Sequence, residues 1–397
     1  SHWGLLVGKV CRMLPEVPPL EEDRIDEVLL QNIQHNYDYV DVIHELVQCF
    51  LVKQLNGHDP FSSNGALSLM PYDAIDVAVH THSLDILHEV LLLYHASMQN
   101  PYYASPVVYA LQEGCHECVL PMLESGLDAT ELRFETVEQH VIVTLHECTD
   151  VLEGRVERVI MQGCGLRKML FEEMQKLSIW ERLGASVTSL NLRDNSLDPD
   201  EAIDIVNMLH DMPHLEILLL ETNNLWTRTG ETDNLAEAIG SLPMLWRLGL
   251  SVTSLTESAG IKLAEVLPNL SLLRHLYLES NQIGPHAGRA LQSGVSNLTQ
   301  LERVHIGDNS IGGETVLQLL ESLLASSGTL TDLRLRSNDI IFDEDDLYER
   351  IPWLLVHNFT KLEKLDISNN TMNNASAHVF MSVLAEHPSL RQVSALD

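Results

Sequence analysis

Three groups of residues in this sequence have side chains that could do chemistry. Cys115 and Cys118 form a C-x-x-C pair with His116 between them, the spacing of a redox or metal motif. It is a lone pair; a tetrahedral zinc site needs four ligands and no second pair is in reach by sequence. The pair therefore reads as packing cysteines. Histidine is frequent, with 19 residues, and His80, His82, His88 and His95 fall close together. A metal site needs ligands converging on one point with carboxylates behind them, and this spacing forces no such convergence. Asp343-Glu344-Asp345-Asp346 is an acidic run. It lacks the glycine and the terminal glutamate of a calcium loop and reads as a solvated helix start, where negative charge is favourable. The sequence contains no phosphate loop, kinase signature, G-x-S-x-G or H-E-x-x-H. The expectation is a chain without catalytic residues, cofactor or metal.

Composition points the same way. The 397 residues carry a net charge of −33, with 45% apolar residues. That balance disfavours nucleic acid and anionic membranes as partners. All six cysteines precede residue 165. With no secretory leader and no apolar run near the length of a membrane span, the chain reads as soluble, reduced and cytoplasmic. Five N-x-S/T sequons, at Asn269, Asn297, Asn358, Asn369 and Asn374, are put down to the abundance of Asn in the turns. The first residue is Ser1 and the last repeat is cut at Asp397, which reads as a piece of a longer protein.

The element that positions everything else is a ladder in the second half. The phrase L-x-x-L-x-L-x-x-N-x-L is matched first by Val187/Leu190/Leu192/Asn195/Leu197. It returns through Asn223, Thr253, Asn281, Asn309, Asn338 and Asn370, at spacings of 28, 30, 28, 28, 29 and 32, and Leu390/Val393 begin an eighth copy. Each x-L-x-L-x is predicted to be a short strand with its leucines inward. The Asn satisfies backbone groups where the chain turns off the strand. Helical spacing follows, as in Ala202-Ile205-Val206-Leu209. No unit buries its apolar face alone, so stability comes from stacking. Residues 187–397 resemble ribonuclease-inhibitor-type leucine-rich repeats, which implies an α/β horseshoe with a parallel concave sheet.

The repeat register names the concave side chains. The candidate partner footprint is Leu219, Arg247, His275, Tyr277, Glu279, Arg303, His305, Arg334 and Arg336, a basic and aromatic patch on an acidic chain. Tyr and Arg are enriched in binding hot spots.

The first half is expected to be helical. Residues 1–22 are read as a helix or cap broken by Pro15, Pro18 and Pro19. Ser105-Pro106, Ala110, Gly114, Leu123, Gly126 and Asp128 resemble an ankyrin repeat, with Pro106 in the first turn of one helix and Gly114 and Gly126 at the chain reversals. In that alignment Cys115 lies at the turn and Cys118 on the buried face of the second helix. Weaker copies fall around Val28–Val47 and Asp73–Leu92, and a fourth spans Thr136–Gly165, with Val156, Val159, Ile160 and Met161 on a second helix. Residues 23–165 are thus read as an ankyrin-like array and 166–186 as a helix capping the leucine-rich stack.

Ankyrin-like repeats leading into leucine-rich repeats resemble the N-terminal half of the Roco family, the leucine-rich-repeat kinases. The resemblance implies a regulatory binding arm, a protein-recognition scaffold that takes its partner, or a linked domain of the same protein, on the concave face. The alternatives are the ligand-sensing end of a NOD-like immune receptor and a leucine-rich-repeat GTPase activator.

Overall fold

The structure, a computed structural model, describes residues 105–227 and 233–395, together with Val79, Leu84, Leu87, His88 and Leu91. The expected helix over 1–22, the ankyrin-like copies before Ser105, and His80, His82 and His95 lie outside the described residues. Two compact units divide the chain: Ser1–Arg133 with Glu138–Leu152, and Phe134–Val137 with Glu153–Asp397.

The first unit contains one helix pair where the ankyrin-like phrase was read. Helix Pro106–Gln112 starts with proline in its first turn and buries Val107, Val108, Ala110 and Leu111. Gly114, at φ +80°, reverses the chain, and helix His116–Glu124 returns before Gly126 at φ +85°. Both glycines sit in the left-handed region, which a Cβ disfavours. Ser105 Oγ donates to the Asp128 carbonyl at 2.9 Å and closes the pair. Cys118 is buried, as expected, and Cys115 at the turn is buried too; the two are joined in a disulfide, which departs from the expected reduced state of the cysteines. Opening a helix with C-x-x-C places the two Cα atoms 5.4 Å apart, within the reach of a disulfide. Helix Gln139–Glu147 packs on the first helix, and the unit also holds the short strand β1, Glu131–Arg133.

The described residues of the second unit form a stack of nine parallel three-residue strands: β2 (Arg158–Ile160), β3 (Ser189–Asn191), β4 (Ile217–Leu219), β5 (Arg247–Gly249), β6 (His275–Tyr277), β7 (Arg303–His305), β8 (Asp332–Arg334), β9 (Lys364–Asp366) and β10 (Gln392–Ser394). Each pairs with the next in sequence order, and every register places equivalent repeat positions opposite each other. A helix or short helical stretch follows each of β2 to β9 and packs on its neighbours, so strands line one face and helices the other. This is the leucine-rich-repeat fold, and its core is the column of repeat leucines, Leu190, Leu218, Leu248 and Leu276 among them, at 0 to 1% exposure.

The asparagine ladder does what the motif requires. Asn223 Nδ2 donates to the Leu192 carbonyl of the preceding unit (3.0 Å) and to Leu220 of its own (2.8 Å). Its Oδ1 accepts from the backbone of Asn195 and Leu197, each at 3.1 Å. Thr253 is the weak rung: among the described residues its hydroxyl reaches only the Leu250 carbonyl within its own unit, at 2.8 Å, and the Asn281 carboxamide at 3.4 Å. Helix starts are tied across units as well. Glu201 accepts from the Lys168 backbone at 3.0 Å, and Asp343, from the acidic run, accepts from the Asn373 backbone at 3.0 Å.

Two expectations fail here for one reason. Val156–Met161, expected to be helical, instead contains β2, paired in register with β3. The stretch carries the leucine-rich phrase as Val156/Val159/Met161/Cys164/Leu166, with cysteine in the asparagine position and no leucine until its last place. Cys164 Sγ donates to the Phe134 carbonyl at 3.0 Å, and Leu166 N donates to Asn195 Oδ1 at 3.4 Å, so the ladder runs through it. A short apolar run fits helix and strand equally well, and the ladder residue decides. Helices Lys168–Lys176 and Ile179–Leu183, read as a cap, are therefore the helical half of the β2 unit; Leu170, Phe171, Met174 and Trp180 are buried in it.

Candidate functional site

The strand face is built from the first and third residues of each strand and the position two beyond. Across the sheet the first residues run Arg247, His275, Arg303, Asp332, Lys364, and the third run Gly249, Tyr277, His305, Arg334, Asp366. Every side chain of the expected footprint lies on these rows or just past them.

The centre is aromatic. Tyr277 stands edge-on to His305, with centroids 4.8 Å apart, and near His275 at 6.0 Å. His275 in turn meets the Trp246 ring at 5.3 Å. The Arg247 guanidinium lies 5.3 Å from the Tyr277 centroid, a cation–π distance. Its Nε is buried and makes no hydrogen bond among the described residues.

Around that centre the charges interlock. His305 Nε2 is 3.2 Å from Asp332 and its Nδ1 is 3.7 Å from Glu279. Arg334 Nε reaches the same Asp332 oxygen at 3.4 Å. Arg336 spans Asp308 (2.5 Å) and Glu279 (3.7 Å). On the other side Arg193 grips Glu221 with two nitrogens, and that pairing raises the guanidinium's pKa. Gly249 leaves the room for it, because a Cβ there would collide with the Glu221 carboxylate. Burial alone would raise the Asp332 carboxyl, but the His305 imidazole beside it and the Arg334 charge outweigh it and hold it below the ordinary carboxylate range. Burial, aided by the Arg303 charge, pushes the His275 imidazole below its ordinary value against the opposing pull of Glu302.

The footprint thus divides in two. His275, His305 and Leu219 are under 10% exposed and serve as floor, while Glu279, Arg334 and Arg336 are tied into ion pairs. Arg303 is exposed, and among the described residues Arg247, Arg303 and Lys364 have no carboxylate partner. These groups bound a groove of about 420 Å³, lined by five cations and three carboxylates. Trp246, Glu221, Asp332 and Lys364 were not in the expected footprint. Three of them occupy strand-face positions that the repeat register already identifies; Trp246 precedes β5, and no spacing signals it. Among the described residues, no group of three or more His, Cys, Asp and Glu is placed to hold a metal, and no helix is long and apolar enough to cross a membrane.

No protein-family model matches this chain, and no curated protein matches it. Among solved structures, it is similar to an internalin (inlF) from Listeria monocytogenes, at 16% identity over 73% of this chain and 76% of that one, with a TM-score of 0.45. The TLR13–ssRNA13 complex aligns at 15% identity over 66% of this chain and 38% of that one, with a TM-score of 0.35. Actin-binding site 2 of leiomodin-1 aligns at 20% identity over 47% and 88%, with a TM-score of 0.28. The fold of the second unit stands on its own strands and ladder: it is a leucine-rich-repeat array.

Proposed function

We propose that this chain is a non-enzymatic recognition scaffold, active in the cytoplasm, which docks a protein partner on the strand face of its leucine-rich repeats. The observation that carries this reading is the prearranged anchor at the centre of that face. Tyr277 is fixed between two imidazoles and a guanidinium. Aromatic and arginine side chains already held in place lose little conformational entropy on binding, which is what makes hot spots efficient. The cytoplasmic setting rests on the sequence alone.

The test is capture of partners from lysate on the whole chain, beside a Tyr277→Ala/Arg334→Glu/Arg336→Glu variant with an unchanged far-UV spectrum. Loss of a captured protein in the variant supports the strand face. Capture indifferent to the substitutions removes it as the site.

The helix pair Pro106–Gln112 and His116–Glu124 ahead of the repeats favours, among the finer settings, the regulatory arm of a Roco-like GTPase or kinase. The sensing end of a NOD-like receptor and a GTPase activator are less consistent with it. Reading the gene's flanking coding sequence for a GTPase phosphate loop tests that setting, and finding none there counts against it.

A further inference from the structure

The first-position row of the strand face has a regular charge pattern. Arg247, Arg303 and Lys364 begin β5, β7 and β9, so a cation recurs at every second strand. The residues between them do not interrupt the pattern. His275 is buried, and Asp332 is buried and already occupied by His305 and Arg334. Neighbouring strands lie about 4.8 Å apart, which sets the Cα atoms that carry the three cations about 9.6 Å apart. None of the three has a carboxylate partner among the described residues, and Arg303 and Lys364 are exposed.

That repeat matches one backbone conformation of a ligand. A polyproline-II segment rises about 3.1 Å per residue with three residues per turn, so every third side chain points the same way at about 9.3 Å. An extended β segment repeats on one side at about 6.6 Å, and a helix turn at about 5.4 Å, and neither keeps step with the row. Singly charged groups fit better than phosphates, because the cations are spaced rather than converged into one bidentate cluster. The chain's overall charge of −33 does not forbid an acidic ligand. At physiological salt the screening length is about 8 Å, so a ligand in the groove feels the nearby cations.

We propose that Arg247, Arg303 and Lys364 together bind a polyproline-II segment bearing a carboxylate at every third residue, laid across β5 to β9. This deepens the strand-face reading and rests on it.

The test uses three fluorescein-labelled heptapeptides, EPPEPPE, EEEPPPP and KPPKPPK, titrated by anisotropy against the whole chain in 0.15 M salt. EPPEPPE is expected to bind about tenfold more tightly than EEEPPPP, which has the same charge without the spacing. Arg303→Glu is expected to weaken EPPEPPE by about tenfold or more, and Arg303→Lys to retain most of the binding. Because Arg303 is exposed, neither change should disturb the fold, and a thermal melt checks this. Equal binding of EPPEPPE and EEEPPPP, preference for KPPKPPK, indifference to Arg303→Glu, or no binding up to about 1 mM overturns the proposal. If the Tyr277 variant still loses its partner in that case, the strand face stands and only the ligand class falls.

Discussion

Tyr277 and His305 meet edge to face at 4.8 Å on adjacent strands, and His305 is at the same time 3.2 Å from Asp332. The ring that a partner would touch is thus held by a buried polar chain one strand deeper. This coupling separates two kinds of substitution. Tyr277→Ala removes a half-exposed ring and its contact with Arg247; it is expected to cost about 1 kcal/mol of stability while abolishing partner capture. His305→Ala removes the buried partner of Asp332 and is expected to cost about 3 kcal/mol, because the carboxylate is left buried and less well compensated. Denaturant melts of both variants check the order, and a Tyr277→Ala variant less stable than His305→Ala would show that the ring is structural.

The β5 turn should be improvable. Thr253 fails to reach the preceding unit, where each asparagine of the ladder donates to a carbonyl. Just before it Val252 sits at φ +56° and 48% exposed, a left-handed conformation that a β-branched residue adopts only at a cost. The equivalent positions in neighbouring units are Thr222 and Ser280. Thr253→Asn is expected to stabilise by about 1 kcal/mol through the restored bonds. Val252→Asn should contribute a similar amount, about 1 kcal/mol, through the relieved backbone. Thermal melts of the single and double variants decide; a lowered midpoint for Thr253→Asn would mean the cavity there is shaped for threonine.

These two positions also show what the sequence could and could not reveal. Thr253 was visible as the one break in the asparagine series because the motif is a hydrogen-bonding requirement at a fixed spacing. The strand rows were visible for the same reason, since a period of two fixes which residues face out. The β2 unit was missed because Val156, Val159 and Met161 replace the leucines and Cys164 replaces the asparagine. Apolar identity alone does not separate strand from helix over so short a run. The division of the footprint into floor, ion-paired rim and unpaired cations was also illegible. It depends on which neighbour each side chain reaches, Glu221 for Arg193 and Asp308 for Arg336, and spacing does not encode that.

Stability should fall in mild acid, partly through His275. Its folded-state pKa is lowered by burial first and by Arg303 second. Below the ordinary histidine value of about 6.5 the unfolded chain binds a proton that the folded chain resists. Stability is therefore highest above that value and declines as the pH falls from it toward the depressed folded pKa. His387, buried at the last helix, has the same sign from burial. His275→Gln is expected to flatten part of the decline between about pH 6.5 and 5 and leave the His387 share. Urea midpoints across that range measure it. A slope unchanged in the variant would assign the whole decline to other groups.

The two free thiols among the described residues should be almost inert in the folded state. Burial first, and the neighbouring Glu147 second, push Cys148 up to about 12. Burial, with Glu135, pushes Cys164 up to about 11. A thiol reacts as thiolate, and at pH 8 these values leave about a thousandth or less of either group ionised. Accessibility multiplies the effect, since both side chains are buried. Cys164 also spends its proton on the Phe134 carbonyl, at 3.0 Å, as the ladder residue of its unit. Iodoacetamide at pH 8, read by mass spectrometry of peptides, is therefore expected to label both thiols quickly in urea and far more slowly without it. Rapid native labelling of Cys164 would mean that the β2 unit opens, and that the ladder is held there less firmly than at the asparagines. Cys164→Asn would then be the natural repair, extending the same hydrogen-bonding residue one unit toward the N-terminus.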